Sequence, residues 1–126
     1  MKYQSEKQSL EYIGLSKKEA EVFITLLEKG SLTATELSRE VGRPRTSVLL
    51  ELESLKKKGF VERTKVGGHF EWESSTLDDV DTLVSEKYES FKQTLPMLRG
   101  ILKAQSFNKK FSVKVFSGAS GFLKAY

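Results

Sequence analysis

Residues 33–48 read TATELSREVGRPRTSV and are the most informative part of this 126-residue chain. Thr33 and Glu36 match a capping box, in which each side chain satisfies a backbone amide that the start of a helix leaves unpaired. Gly42 is suited to end this helix, since glycine accepts the left-handed conformation of a C-terminal cap. Pro44 then suits the first turn of a second helix, where a backbone N–H would have no partner. The pattern predicts two helices joined by a three-residue turn.

A β-hairpin is predicted directly after the second helix. Residues 60–64 (FVERT) and 69–73 (HFEWE) alternate in character and flank the glycine-bearing tip VGG at 66–68. The order of helix, turn, helix and hairpin is that of a winged helix-turn-helix, which places its second helix in the major groove of DNA. We therefore predict a mainly α fold with a small β wing, the second helix spanning 44–58 and the wing 60–73.

The second helix is predicted to bury one face in the core and to expose the other. Val48, Leu52 and Leu55 share one stripe, which we assign to the core. Arginine grips phosphate or pairs with guanine, and hydroxyl side chains reach either bases or phosphates. The residues that we expect to contact DNA are Arg43, Arg45, Thr46, Ser47, Leu50 and Lys57 on the helix and Arg63, Lys65 and His69 on the wing.

Two further helices are predicted upstream of the motif. One begins at Ser5 with Gln8, and the other begins at the capping box of Ser16 and Glu19 and ends at Gly30. Their role is to supply the core on which the second helix of the motif rests. The predicted core consists of Phe23, Ile24, Leu27, Leu37, Val41, Val48, Leu52, Leu55 and Val61.

A long helix, capped by Thr76 and assigned to residues 75–106, follows the winged domain at 1–74. Its apolar residues recur every three or four positions with one stutter, which is typical of a coiled coil. This stripe can pack on the winged domain or pair with a second copy, and we favour pairing because a dimer reads two half-sites. Pro96 should kink the helix or split it at Leu95. The predicted dimerisation residues are Val84, Tyr88, Phe91, Leu95, Leu98 and Leu102.

Composition argues against most other classes of protein. The net charge of +4 favours contact with a polyanion. The chain has no cysteine, and His69 is its only histidine, so the sequence predicts no disulfide, metal site, cofactor or enzyme activity. Neither a signal peptide nor a run of about 20 apolar residues is visible, which predicts a cytoplasmic protein without membrane contact.

Residues 107–126 form a third segment. Residues 111–116 (FSVKVF) alternate as a strand does, and SGASG at 117–121 reads as a turn into a helix. We expect this strand–turn–helix segment to be incomplete, because it is too short to complete a βα domain. It would be either a natural remnant of a larger protein or the result of shortening the chain.

Several ordered motifs resemble the TrmB family of archaeal and bacterial transcriptional regulators. These motifs are YIGLSKKEA at 12–20, LLEKG at 26–30, RPRT at 43–46 and LESLKKKG at 52–59. Leu95-Pro96 and VKVFSG at 113–118 resemble the linker and the opening of the effector domain of the same family. The resemblance implies a regulator that binds promoter DNA as a dimer, often under the control of sugars.

The resemblance also bears on individual residues. It places Pro44, Arg45, Thr46 and Ser47 at the start of the recognition helix, which adds Pro44 to the predicted DNA-binding set. The family often has tyrosine where this chain has Leu49 and a polar residue at the next position, so detailed base contacts are not carried over. The sequence does not support a small-molecule effector, because the effector domain is truncated.

The sequence thus predicts a DNA-binding transcriptional regulator with sequence specificity. Its partners would be double-stranded promoter DNA and a second copy of the chain. The alternative is a winged-helix adaptor that binds other proteins without reading DNA, because Leu49 and Leu50, if exposed, would suit the groove of a partner.

Overall fold

A computed structural model describes the backbone of residues 2–109 and the side chains as far as residue 106. It confirms the mainly α fold with a small β wing and a long final helix. The predicted strand and turn at 111–121 lie outside the described residues. The elements are α1 (Gln4–Tyr12), α2 (Lys17–Lys29), α3 (Ala34–Val41), α4 (Arg45–Lys58), β1 (Val61–Val66), β2 (His69–Ser74) and α5 (Leu77–Lys109).

Local capping signals set most helix ends, as predicted. The Ser16 and Glu19 side chains each bond the other's backbone N–H, at 3.1 and 2.9 Å, and Thr33 and Glu36 repeat the arrangement at the start of α3. Gly42 and Gly59 have φ of 70° and 88°, the left-handed region that glycine adopts without strain.

Three boundaries differ from the predictions. The first helix begins at Gln4, after Tyr3 in a left-handed conformation, and has no side-chain cap from Ser5. Pro44 occupies the capping position, so α4 itself begins at Arg45. The helix α5 runs through Pro96 without a break, so the predicted split at Leu95 is wrong. A proline removes one backbone hydrogen bond, which a helix of 33 residues tolerates through the bonds on either side.

The wing is a two-stranded antiparallel hairpin with the predicted glycine turn. Its register pairs Val61 with Ser74, Arg63 with Trp72 and Lys65 with Phe70. Trp72 is buried. Its backbone N–H also donates to the carbonyl oxygen of Leu32 at 2.8 Å, and the Leu32 N–H donates back at 3.0 Å. These bonds fix the wing to the loop between α2 and α3.

The core lies where α2, α3 and α4 meet the base of the wing. Seven of the nine predicted core residues are buried, while Val41 is only partly buried and Leu27 is 44% exposed. The Leu27 prediction was wrong although Leu27 shares the helical face of Phe23 and Ile24, because it lies in the last turn of α2, beside a surface depression that leaves it exposed. The buried apolar residues that the prediction missed are Leu15, Ala20, Val22, Leu26, Ala34, Phe60, Trp72 and Val80.

The first turns of α5 belong to the winged domain. Asp79 donates its N–H to Thr76 Oγ1 at 3.1 Å, which confirms the predicted cap. Val80 is buried, Leu83 and Val84 pack against the core, and the first compact unit of the chain ends at Glu86. Val84 therefore packs at least in part on its own domain. Within residues 2–109, no helix combines the length and apolar character that crossing a membrane requires.

Candidate nucleic-acid interface

The outward face of α4 carries exposed basic, hydroxyl and aliphatic side chains. Arg45, Thr46 and Lys57 are exposed, and Leu50 is 74% exposed. Pro44 is exposed at the helix start and Ser47 is partly buried. Neither Arg45 nor Lys57 forms an ion pair within residues 2–106. This face is therefore free to contact an anionic ligand.

Arg43 does not lie on this face. Its guanidinium group forms ion pairs with Glu21 and, at 2.5 Å, with Glu51, and it donates to the carbonyl oxygen of Lys18 at 3.4 Å. Only 16% of its side chain is exposed. Burial lowers the pKa of Arg43, but the hydrogen bonds and charges of Glu51 and Glu21 outweigh that effect and raise it above its usual value. The prediction that Arg43 contacts DNA does not fit this geometry, because its two Nη groups are bonded within the protein and its Nε, which has no hydrogen-bond partner there, is buried.

A second ion pair joins α4 to the start of α2. Lys58 Nζ donates to Glu19 Oε1 at 2.7 Å and to the carbonyl oxygen of Gly14 at 3.0 Å. Burial raises the pKa of Glu19, but hydrogen bonds from Lys58, Ser54 and the Ser16 N–H outweigh it, so the pKa lies below its ordinary 4.5. With Arg43, Lys58 sets the position of α4 on α2 and hence the direction of its outward face.

Acidification should remove the contribution of Glu19 to stability. Because its pKa is lowered on folding, that contribution is present above about pH 4.5 and is lost as the pH falls through the folded value. Glu19→Gln should lower the free energy of unfolding at pH 7 by about 1–3 kcal/mol, and the deficit should shrink between pH 5 and 3. Urea denaturation across this pH range measures both, with Glu86→Gln as control, since Glu86 is exposed and forms no ion pair within the described residues. An equal deficit at every pH would contradict the assignment.

The cations of the wing differ in how far contacts within the described residues hold them. The Arg63 guanidinium group lies 4.2 Å from the centre of the Phe70 ring, 5.7 Å from that of Trp72 and 3.7 Å from Glu53. Stacking of this kind holds the cation in place and leaves only part of it accessible. Lys65 is exposed and forms no ion pair within the described residues. His69 is exposed, with Nε2 3.3 Å from Glu71 Oε2.

A cleft of about 380 Å³ separates α4 from the wing. Arg45, Arg63 and His69 line it, so the structure brings together residues that were predicted from two separate elements. Leu49 also lines the cleft and packs against the core, so it is not the exposed residue that the adaptor alternative assumed. Thr33 and Thr35 also line the cleft and were not predicted as site residues. The sequence could have indicated them, because the predicted cap places them at the start of α3 and the first helix of this motif meets the DNA backbone.

Comparison with known proteins identifies the family to which this chain is similar. The family described as "Sugar-specific transcriptional regulator TrmB" matches residues 10–77. The uncharacterized protein MJ1082 of Methanocaldococcus jannaschii is 32% identical over 87 residues, which cover 66% of this chain and 72% of that protein. The HTH-type sugar sensing transcriptional regulator TrmBL1 of Pyrococcus furiosus is 42% identical over 55 residues, which are 44% of this chain and 16% of that regulator.

A solved structure resembles the fold over most of the chain. TrmBL2, described as an archaeal chromatin protein, has a TM-score of 0.71 at 19% sequence identity. The similarity covers 92% of this chain and 46% of TrmBL2, so the chain spans less than half of that protein. At this level of identity the comparison supports the fold, while the match over residues 10–77 assigns the family. The chain belongs to the TrmB family of winged-helix transcriptional regulators.

Proposed function

We propose that the protein is a sequence-specific regulator that binds promoter DNA as a homodimer. The observation that carries this proposal is the exposed face of α4, which presents Arg45, Thr46, Leu50 and Lys57 beside the wing and whose two cations form no ion pair within the described residues. An α-helix fits the major groove, where base edges differ from one base pair to the next. The family membership of residues 10–77 supports the same activity.

The proposal assigns different roles to different side chains. Arg45 and Thr46 lie in the first turn of α4, the end that enters the groove in this motif, and are assigned to base edges. Lys57 and Lys65 are assigned to phosphates. Leu50 either contacts a thymine methyl group or covers the stems of its neighbours. Pro44, Ser47, Arg63 and His69 border the same surface and are assigned to backbone contacts or to shaping it.

The homodimer part of the proposal rests on the apolar stripe of α5. Tyr88 and Phe91 are 60% and 52% exposed, and Leu98 and Leu102 are exposed as well. Residues at this spacing form the seam of a coiled coil. Pairing two copies would bury them and present two recognition helices to two half-sites.

Single substitutions should distinguish the side chains that contact bases from those that contact phosphates. We expect DNA selected from a random pool to contain a palindrome, and affinity for it to fall steeply with salt as phosphate contacts release counterions. Arg45→Ala and Thr46→Ala should each cost about 1–3 kcal/mol and relax preference at one operator position. Lys65→Ala should instead weaken all sequences equally and lower the salt slope by about one unit. Competition assays on operator variants measure these effects.

Two outcomes would contradict the assignment. If Arg45→Ala and Thr46→Ala both leave affinity and sequence preference unchanged, α4 does not read DNA. If the wild-type protein has no affinity at low salt, or affinity that does not vary with salt, the adaptor function is favoured. The exposed Leu50 is the observation that supports that second candidate, because a large aliphatic side chain at 74% exposure suits a protein groove.

A further inference from the structure

The flank of α4 that faces away from the wing is packed against the first turns of α2. At 100° per residue, Leu49 and Lys58 lie on opposite sides of α4, with Thr46, Leu50 and Lys57 between them. The Leu49 side lines the cleft with the wing. The Lys58 side is tied to Glu19, and Arg43 is tied to Glu21 and to the Lys18 carbonyl oxygen. The wing and the start of α2 therefore flank the outward face from opposite sides.

The start of α2 is rich in exposed cations. Lys17 and Lys18 occupy its first turn, and Lys7 of α1 lines the same surface depression of about 260 Å³. None of these three lysines forms an ion pair within the part of the chain that the structure describes. The other lining residues are Gln4, Glu11, Glu21 and Arg43.

The charge balance of this depression favours an anion. Arg43 is shared between Glu21 and Glu51, so this one cation offsets one of the two carboxylates. With Glu11, the depression and Glu51 together carry three carboxylates against the four cations Lys7, Lys17, Lys18 and Arg43, which leaves a positive excess of one charge. Lysine binds phosphate as a mobile point charge and needs no fixed geometry, so this lysine group suits a backbone contact better than base reading.

We propose that Lys17 and Lys18, assisted by Lys7, bind DNA phosphates on the wall of the major groove opposite the wall that the wing contacts. This inference rests on the proposed function, because it needs α4 to lie in the groove. The groove is about 12 Å wide and a helix with its side chains is about 10–12 Å across, so elements on either flank of α4 meet the two phosphate walls. The DNA footprint is then wider than the helix and wing alone would give.

The test is a Lys17→Gln/Lys18→Gln double variant bound to selected DNA over a range of salt concentrations. The slope of log affinity against log salt should fall by about two units, and affinity should fall by the same factor for every operator variant. Ethylation of backbone phosphates should interfere with wild-type binding at positions that no longer matter for the double variant. Lys2→Gln/Lys29→Gln is the control for net charge, since it removes the same charge near the opposite end of α2, where the two lysines are ion-paired with Glu28 and Glu40, and it should keep the wild-type slope.

The outcomes separate this proposal from the one on which it rests. If the wild-type protein selects a DNA sequence but the Lys17/Lys18 variant keeps its salt slope, the second phosphate contact is wrong and the regulator function stands. The second contact is equally wrong if the control variant loses as much slope, because the effect would then be one of net charge. If the wild-type protein does not bind DNA at low salt, both proposals fail together.

Discussion

Replacing Arg43 by methionine should lower the free energy of unfolding by about 3–5 kcal/mol, the usual effect of removing one partner of a buried ion pair. The Glu51 side chain is only 13% exposed, so its charge would be left in the protein interior without its partner. Methionine keeps much of the volume of the arginine stem. The loss in free energy of unfolding therefore comes mainly from removal of the charge and only in small part from a cavity. For a domain whose total stability is about 5–15 kcal/mol, this effect is large. Urea denaturation measures it.

Two further variants make the result specific to the ion pair. Arg39→Met alters an exposed arginine on α3 that forms no ion pair in the described part of the chain, and should change stability by no more than about 0.5 kcal/mol. Arg43→Met combined with Glu51→Met should recover much of the loss, because both charges leave the interior together. If Arg43→Met is as stable as Arg39→Met, Arg43 is not a structural residue.

DNA binding by the folded Arg43 variant distinguishes a positioning role from a phosphate contact. A positioning residue would leave the salt slope and the order of preferred sequences unchanged once the protein is folded. A phosphate contact would lower the slope by about one unit, as for Lys65→Ala. We expect the former, because the Nη groups of Arg43 are occupied by Glu21 and Glu51 and its Nε is buried.

Arg43 illustrates what could not be predicted from the sequence. The capping boxes and the glycine ends of helices were predictable because each depends on residues within about four positions of one another. The partners of Arg43 are 22 and 8 residues away, and no local pattern indicates that they meet. From the sequence alone, a basic residue beside a helix-turn-helix is therefore predicted to contact DNA. Only the packing of α2 on α4 shows that it has partners within the protein.

The same reasoning explains the other differences in the candidate site. Thr46, Leu50 and Lys57 were placed on the outward face correctly, because the period of one helix defines its faces. Thr35, Lys17 and Lys18 were missed because their distance from that face depends on how three helices pack. Leu27 was assigned to the core because it shares the helical face of Phe23 and Ile24, and the period of a helix does not show where along its length the packing ends.

Phe91→Asp combined with Leu98→Asp should convert the proposed dimer into monomers. Each large apolar side chain buried in the seam contributes about 1.5–3 kcal/mol, so two copies of Tyr88, Phe91, Leu95, Leu98 and Leu102 together exceed an association cost of about 4–15 kcal/mol. Two carboxylates per chain would have to be buried, and their desolvation removes that advantage. Sedimentation at micromolar concentration should show a wild-type dimer and a monomeric variant.

The matched control adds the same charge on the opposite side of α5. Gln93→Asp combined with Ala104→Asp changes two exposed positions away from the stripe, and this variant should remain a dimer. Affinity for a palindromic operator should fall by orders of magnitude in the monomeric variant, because a single recognition helix reads one half-site, while affinity for an isolated half-site should be unchanged. A wild-type monomer, or a Phe91/Leu98 variant that still sediments as a dimer, would remove the stripe from the interface. Two half-sites would then have to be joined by another surface of the chain.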